Sequence, residues 1–133
     1  MSSSVLRIIT PQVSSIISDV ESLHFKSISG DITILPNHYP LIVGVDVSKL
    51  LIKKNKLPIL AFISDGLVSV KEKEVIIILN AFEFKDEIDL NRAKASYDRA
   101  FERISSKNEG VDIARAEASL KRALTRISIV ESN

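Results

Sequence analysis

The sequence predicts an α+β protein, in which an N-terminal β-sandwich of many short strands precedes a C-terminal antiparallel hairpin of two helices. One reason is a change of composition: residues 1–84 hold all four prolines and one arginine, whereas residues 85–133 hold six arginines and no proline. The other is a change of hydrophobic period at the same place, from runs of β-branched residues to a spacing of 3.6 residues. We therefore expect two domains, over residues 1–84 and 85–133.

Short runs rich in valine and isoleucine fill the first part, and they are separated by glycine, proline, asparagine and aspartate. Many short strands without a helical period between them favour a small sandwich or barrel. The clearest hairpin joins Leu67–Val70 to Val75–Leu79 through Lys71–Lys73. The nine predicted strands are Val5–Thr10, Val13–Ile17, Val20–Ile28, Asp31–Leu35, Leu41–Val47, Ser48–Lys53, Leu57–Ser64, Leu67–Lys71 and Glu74–Asn80.

The second part predicts two amphipathic helices, with Asp89 and Asp112 as the N-caps and a polar turn over residues 105–110 between them. Each helix has one apolar face. Alanine recurs on both faces, so the helices can approach closely while burying little area per contact. Because an isolated unit near 40 residues is rarely stable, the hairpin is a candidate moving part.

The two helical segments repeat each other. Residues 90–104 align without gaps onto residues 113–127, and eight of the fifteen positions are identical. Both copies hold three arginines at the same +7, +4 spacing, which returns them to nearly one helix face. The six are Arg92, Arg99, Arg103, Arg115, Arg122 and Arg126.

Stacked like charges destabilise a helix by roughly 0.2–0.5 kcal/mol per pair, so the arginine stripes need an explanation. Arg103, Arg122 and Arg126 have no acidic residue three or four positions away. With a turn centred near residues 108–109, Arg122 and Arg126 would lie level with about residues 95 and 91. Three interpretations stay open: solvation and pairing with acids across the hairpin, an anionic ligand such as a polyphosphate, or an acidic protein surface.

Composition excludes several functions. A net charge of +1 argues against general nucleic-acid binding, which usually needs a basic excess. The chain lacks cysteine, which excludes disulfides and thiolate chemistry, and two histidines make a protein-built metal site improbable. With no stretch near 20 apolar residues and no secretory signal at the start, the expected location is the cytoplasm, or a membrane-peripheral assembly.

Specific motifs resemble those of the epsilon-subunit family of bacterial F-type ATP synthases, and the resemblance covers the whole chain. Residues 29–41, SGDITILPNHYPL, are similar to the family's S-G-x-x-x-I-L-P-x-H-x-P-L. Residues 88–93, IDLNRA, are similar to the I/L-D-x-x-R-A element of nucleotide-binding members, and residues 120–126, LKRALTR, to their closing L-K-R-A-x-x-R. One departure is Asp65-Gly66, where many relatives have two glycines. We expect Gly66 to take a positive φ there and so to preserve the turn.

The resemblance implies a non-catalytic subunit of the central rotor, on the cytoplasmic face of the cell membrane and attached to it only through the complex. Its sandwich would contact the gamma subunit and the ring of c subunits, and the loop around Asp31 and His38 is the candidate edge near that ring. His38 is equally well explained as a turn or core residue packed on Tyr39 and Pro40. The resemblance also implies that ATP is a regulatory ligand and that no cofactor is required.

In nucleotide-binding members the ligand holds the hairpin folded. Without it, the helices extend along gamma and meet the alpha and beta subunits, which blocks hydrolysis. Transferred residue by residue, the resemblance implies an ATP site in which the arginines contact phosphate and Asp89 contacts base or ribose. Its members would be Glu83, Ile88, Asp89, Arg92, Ala93, Arg99, Arg122 and Arg126.

Two other classes of function compete with the rotor subunit. A free-standing adenine-nucleotide sensor would use the same hairpin site, and co-purification with alpha, beta and gamma subunits separates it from a rotor subunit. An enzyme is disfavoured because the sequence has no nucleophile–base pair, no phosphate-binding glycine loop and no metal cluster. We therefore expect no catalytic residue in this chain.

Overall fold

A computed structural model describes residues 3–37, 39–106 and 112–132. The chain divides into two compact units, Met1–Lys85 and Asp86–Asn133. In the described residues the first unit is built of β-strands and the second of two α-helices. The predicted fold class, a β-sandwich followed by a helical hairpin, is confirmed.

Seven strands are present among the described residues of the first unit. They alternate buried and exposed side chains over most of their length, as the period-two pattern predicts. The strands are β1 (Ser4–Ile9), β2 (Ser14–Ser27), β3 (Gly30–Ile34), β4 (Leu41–Val45), β5 (Ser48–Lys54), β6 (Leu57–Lys71) and β7 (Glu74–Phe84).

The strands form one hydrogen-bonded sheet in the order β1-β7-β6-β4-β2-β3, with β5 paired to both β2 and β6. Since β1 pairs in parallel with β7 and antiparallel with β2, the sheet folds back on itself and encloses a core. That core includes Phe25, Leu50, Ile63 and Ile77, none of them exposed by more than 1%. The predicted hairpin is confirmed as the β6–β7 connection, with Val70 opposite Val75.

The prediction of nine strands was wrong because two pairs of predicted strands are continuous. In β2 the predicted gap holds a bulge: Asp19 has a φ of 57° and the pairing with β1 shifts by one residue. In β6 the apparent turn at Asp65-Gly66 lies inside the strand, where Ser64 pairs with Ala81 and Gly66 with Leu79 in unchanged register. Pairing with neighbouring strands on both sides overrides the local turn chemistry.

The role expected for Gly66 is also corrected. The positive φ at this point belongs to Asp65, at 23°, and Gly66 is required for another reason. A Cβ atom on Gly66 would lie 1.9 Å from the backbone carbonyl oxygen of Ile78 on the adjacent strand. Glycine is therefore needed for close approach of two backbones rather than for a turn.

The second unit contains α1 (Leu90–Ser106) and α2 (Ile113–Glu131), which pack against each other. A single 3-10 turn over Lys85–Glu87 precedes α1. The predicted N-caps are confirmed: Asp89 Oδ1 accepts a hydrogen bond from the Arg92 backbone N–H at 3.1 Å, and Asp112 Oδ1 from that of Arg115 at 3.0 Å. Most of the polar turn predicted between the helices lies outside the described residues.

We predict that Gly66→Ala lowers the free energy of unfolding by about 1–3 kcal/mol, because the new methyl group must displace the backbone of β7. Gly44→Ala is the matched control. Its Cβ would meet only the flexible side chain of Ile28, at 3.2 Å, so a loss below about 1 kcal/mol is expected. Urea unfolding of both variants measures the difference, and equal losses would contradict the requirement for glycine at position 66.

Candidate functional site

The hairpin interface is lined by alanine. Ala93 and Ala100 of α1 are 4% and 2% exposed, and Ala116 and Ala123 of α2 are 4% and 1% exposed. Both pairs are seven residues apart, so an antiparallel register that sets Ala93 against Ala123 also sets Ala100 against Ala116. Small side chains allow the helix axes to approach to the short end of the usual 8–10 Å range.

This alanine face divides each helix into two flanks. Successive residues turn by about 100°, so the three arginines of α1 lie about 80–120° to one side of Ala93. Tyr97 and Phe101, whose rings stack at 6.0 Å, lie about 40–80° to the other side. The repeat gives α2 the same arrangement, and for antiparallel helices equal rotations point to the same flank of the pair. One flank of the hairpin therefore holds all six arginines, and the opposite flank holds the apolar side chains nearest the interface.

The repeat in the amino-acid sequence is also present in the structure. Arg99 Nη2 donates to Ser96 Oγ at 3.1 Å, and Arg122 Nη2 donates to Ser119 Oγ at 3.2 Å. These two pairs occupy equivalent positions in the two copies. The serine hydroxyls restrict the guanidinium groups without neutralising them.

Along the hairpin axis the arginines fall into two groups of three. In the alanine register, Arg126 and Arg122 lie level with about residues 90 and 94 of α1, on either side of Arg92. These three form the open-end cluster. Arg115 lies level with about residue 101, between Arg99 and Arg103, and those three form the turn-end cluster. Each cluster spans about 6 Å along the axis, with about 7.5 Å between them.

The residues implied for an ATP site occupy several elements. Asp89, Arg92 and Ala93 share the first turn of α1, while Arg122 and Arg126 lie on α2 and are half-buried. Ile88 is buried just before that turn. Arg99 lies nearly two turns further along α1 than Arg92. Glu83 is in the other unit, on β7 opposite Phe62.

The residues implied for the edge near a c ring are in the first unit. Asp31 is exposed near the start of β3, opposite Lys26 of β2. The tight β2–β3 hairpin is fixed by Gly30, whose φ is 121°, and by Ser27, whose Oγ donates to the Gly30 carbonyl at 2.8 Å. His38 lies outside the described residues.

Sequence reasoning missed the two serines that bond the arginines. Ser96 and Ser119 are identical positions of the repeat, four residues before Ala100 and Ala123 respectively, and that identity was the available signal. No other candidate chemistry is found in the part of the chain that the structure describes: it holds no group of three or more His, Asp or Glu side chains placed to bind a metal. Within those residues, no helix is both long and apolar enough to cross a bilayer.

Comparison with known families gives a match for each of the two parts of the chain. Residues 4–85 match the family described as ATP synthase, Delta/Epsilon chain, beta-sandwich domain, and residues 86–131 match ATP synthase, Delta/Epsilon chain, long alpha-helix domain. A β-sandwich with a helical hairpin of this kind defines the delta/epsilon class of ATP synthase subunits. The chain belongs to this family, as a subunit of the bacterial epsilon type.

Relatives agree with this assignment. The ATP synthase epsilon chain of Clostridium acetobutylicum is 37% identical over 104 residues, which cover 77% of this chain and 78% of the relative. That of Bacillus subtilis is 34% identical over 104 residues, covering 78% and 79%.

Two solved structures have a similar fold. A chain of the Euglena gracilis mitochondrial ATP synthase matches with a TM-score of 0.82 at 15% identity, over 98% of this chain and 83% of that one. A chain of the Tetrahymena thermophila mitochondrial ATP synthase central stalk and c ring matches at 0.57 and 10%, over 98% and 96%.

We predict that Ala100→Leu destabilises the hairpin by about 1–3 kcal/mol, because the interface has no space for three more carbon atoms. Ala95→Leu is the matched control, since Ala95 is exposed on the same helix and leucine is nearly as good a helix former. Amide hydrogen exchange in α1 and α2 reports the local stability. Equal exchange rates in the two variants would show that the alanine face is not the contact.

Proposed function

We propose that this epsilon-type chain is a non-catalytic, ATP-sensing subunit of the central rotor of a proton-translocating ATP synthase. Its hairpin binds ATP when folded and inhibits ATP hydrolysis when extended. Family membership supports the rotor role. The feature that supports ATP binding is the open-end cluster, in which helix geometry sets Arg92, Arg122 and Arg126 level with the capped first turn of α1.

Charge supports an anionic ligand at this end. Arg122 and Arg126 are four residues apart on one helix. Both are half-buried, and partial burial makes like-charge repulsion stronger than it is in open water. A triphosphate removes this repulsion and accepts paired hydrogen bonds from each guanidinium fork.

The first turn of α1 supports recognition of the remainder of the nucleotide. Asp89 Oδ1 accepts a hydrogen bond from Arg92 N–H at 3.1 Å, and a carboxylate has further acceptor capacity for a ribose hydroxyl or a base amino group. Ile88 and Ala93 are the buried residues on either side of this cap. Glu83 and Arg99 complete the proposed set.

The alanine interface supports the switch. Of the five buried side chains of α1 and α2, four are alanines and the fifth is Ile129. Since each buried methylene is worth only about 0.8 kcal/mol, few contacts of its own hold the folded hairpin. A ligand that binds only the folded hairpin shifts its population by its differential affinity. Once extended, the same arginines suit an acidic surface of the alpha and beta subunits.

ATP is predicted to stabilise the purified chain. At 100 times its dissociation constant the gain is about 2.7 kcal/mol, seen as a rise in Tm. Arg92→Ala or Arg126→Ala should weaken ATP binding by about tenfold or more, because each removes charge-assisted hydrogen bonds. Titration calorimetry and thermal melting measure both effects.

Lys94→Ala is the control for general loss of positive charge, since Lys94 is on the same helix but on the apolar side, about 100° from Ala93. It should bind ATP like the parent chain. If millimolar ATP gives neither heat nor a melting shift with the parent chain, ATP sensing is wrong, and the acidic-surface role of the arginines remains.

The sandwich offers an apolar surface for the gamma subunit. Leu67 on β6 and Ile78 on β7 are paired neighbours, each 51% exposed. Ile28 is 73% exposed and covers Gly44, the residue that pairs with Leu67 on its other side. These residues form an apolar row across adjacent strands, beside a cavity of about 560 Å³ lined partly by Pro11 and Gly66. Exposed rows of this kind are typical of protein interfaces.

We expect Leu67→Asp and Ile78→Asp to reduce co-purification with gamma by at least about tenfold, because a charge buried in an apolar interface is costly. Thr33→Asp, an exposed change on β3, should have no effect. Retention of gamma by both row variants would show that gamma binds elsewhere.

Further partners complete the proposal. The loop around Asp31 and His38 is the edge near the c ring, and the subunit is peripheral, on the cytoplasmic face of the cell membrane. A free-standing nucleotide sensor is the alternative. It would bind ATP in the same way but would purify without alpha, beta and gamma.

A further inference from the structure

We propose that the turn-end cluster, formed by Arg99, Arg103 and Arg115, is a second binding site for vicinal phosphates. It shares Arg99 with the residues proposed to bind ATP, whereas Arg103 and Arg115 lie outside that set. The site is defined by the pseudo-two-fold symmetry of the hairpin. It does not rest on ATP binding by Arg92, Arg122 and Arg126.

The first support is equivalence. The symmetry that exchanges α1 and α2 exchanges Arg92 with Arg115, Arg99 with Arg122 and Arg103 with Arg126. The local contacts obey it, since the caps of Arg92 and Arg115 measure 3.1 and 3.0 Å, and the serine bonds of Arg99 and Arg122 measure 3.1 and 3.2 Å. A cluster that suits a polyphosphate at one end is therefore matched by a cluster of the same composition and spacing at the other.

The second support is the charge of the surroundings. In the described parts of the two helices, Asp98, Glu102 and Glu117 lie about 100–180° from the alanine face, on the back or on the apolar side. Asp112 Oδ1 accepts the Arg115 backbone N–H at 3.0 Å as a helix cap, and Glu102 follows Arg99 by three residues. Within the described parts of the helices, arginine outnumbers acidic residues on this flank, and Arg103 has no acid three or four positions away.

The third support is the choice and exposure of the cations. Arg99, Arg103 and Arg115 are all exposed, so an anion reaches them without rearrangement of the hairpin. The two lysines of the helices, Lys94 and Lys121, lie about 100–140° to the other side of the alanine face. The helices therefore carry arginine on the flank of the proposed site and lysine on the other flank. The planar guanidinium can donate paired hydrogen bonds to phosphate oxygens, whereas the lysine ammonium acts as a point charge.

The test is titration of the full chain with sodium pyrophosphate at 150 mM salt, followed by calorimetry and by NMR of the arginine Nε–H signals. Screening at this ionic strength suppresses diffuse attraction, since the Debye length is about 8 Å. We expect two equivalents of pyrophosphate to bind, with shifts of the signals of Arg103 and Arg115 as well as those of Arg92 and Arg126.

Two double variants separate the sites. Arg103→Gln with Arg115→Gln should weaken one equivalent by about tenfold or more and leave the other unchanged, while Arg92→Gln with Arg126→Gln should do the reverse. Lys94→Gln with Lys121→Gln removes the same charge from the other side and should leave both equivalents. Circular dichroism confirms that each variant keeps its helices, and Arg103→Lys with Arg115→Lys serves if the glutamine pair unfolds the hairpin.

The outcomes are distinct from those for the open-end site. A single equivalent that is lost only with Arg92 and Arg126 would overturn the second site and leave the ATP site intact. A single equivalent lost with Arg103 and Arg115 would support the second site and contradict the first. Titration with ATP in place of pyrophosphate tells whether the turn-end cluster accepts a nucleotide's phosphate tail or only the free anion.

Discussion

Close packing of α1 against α2 through four alanines is the constraint on which the functional geometry depends. It sets the register of the hairpin, and the register sets which arginines become neighbours. It also divides the surface, because side chains on either side of a narrow alanine face must point to opposite flanks. Larger residues at the interface would move the helices apart and change both the spacing of the charges and the stability of the fold.

The two units bury different kinds of side chain. The sandwich buries large side chains such as Phe25 and Leu50 completely and closes its sheet through β1, so its stability comes from its own core. The hairpin buries mainly alanine, and its long side chains are either charged or part of an exposed apolar flank. A rigid unit joined to a weakly held one is the arrangement that the proposed ATP-dependent switch requires.

Local chemistry made several features predictable. The caps at Asp89 and Asp112, the β6–β7 hairpin and the alanine faces follow from residue type and period alone. The continuity of β6 through Asp65-Gly66 does not, because it is decided by pairing with β4 and β7, which are far away in the sequence. The site has the same limit: spacing predicts a stripe on each helix, but only the contact between helices decides how two stripes combine into clusters.

The near-identity of the two helices has a consequence for any motion of the hairpin. In the proposed extended state, α1 and α2 would each uncover an alanine face flanked by the same arginines in the same order. A partner surface that binds one of these faces is then able to bind the other in inverted orientation. This equivalence increases the number of orientations in which the extended segment can bind. The connection to β7 then determines which orientation forms first.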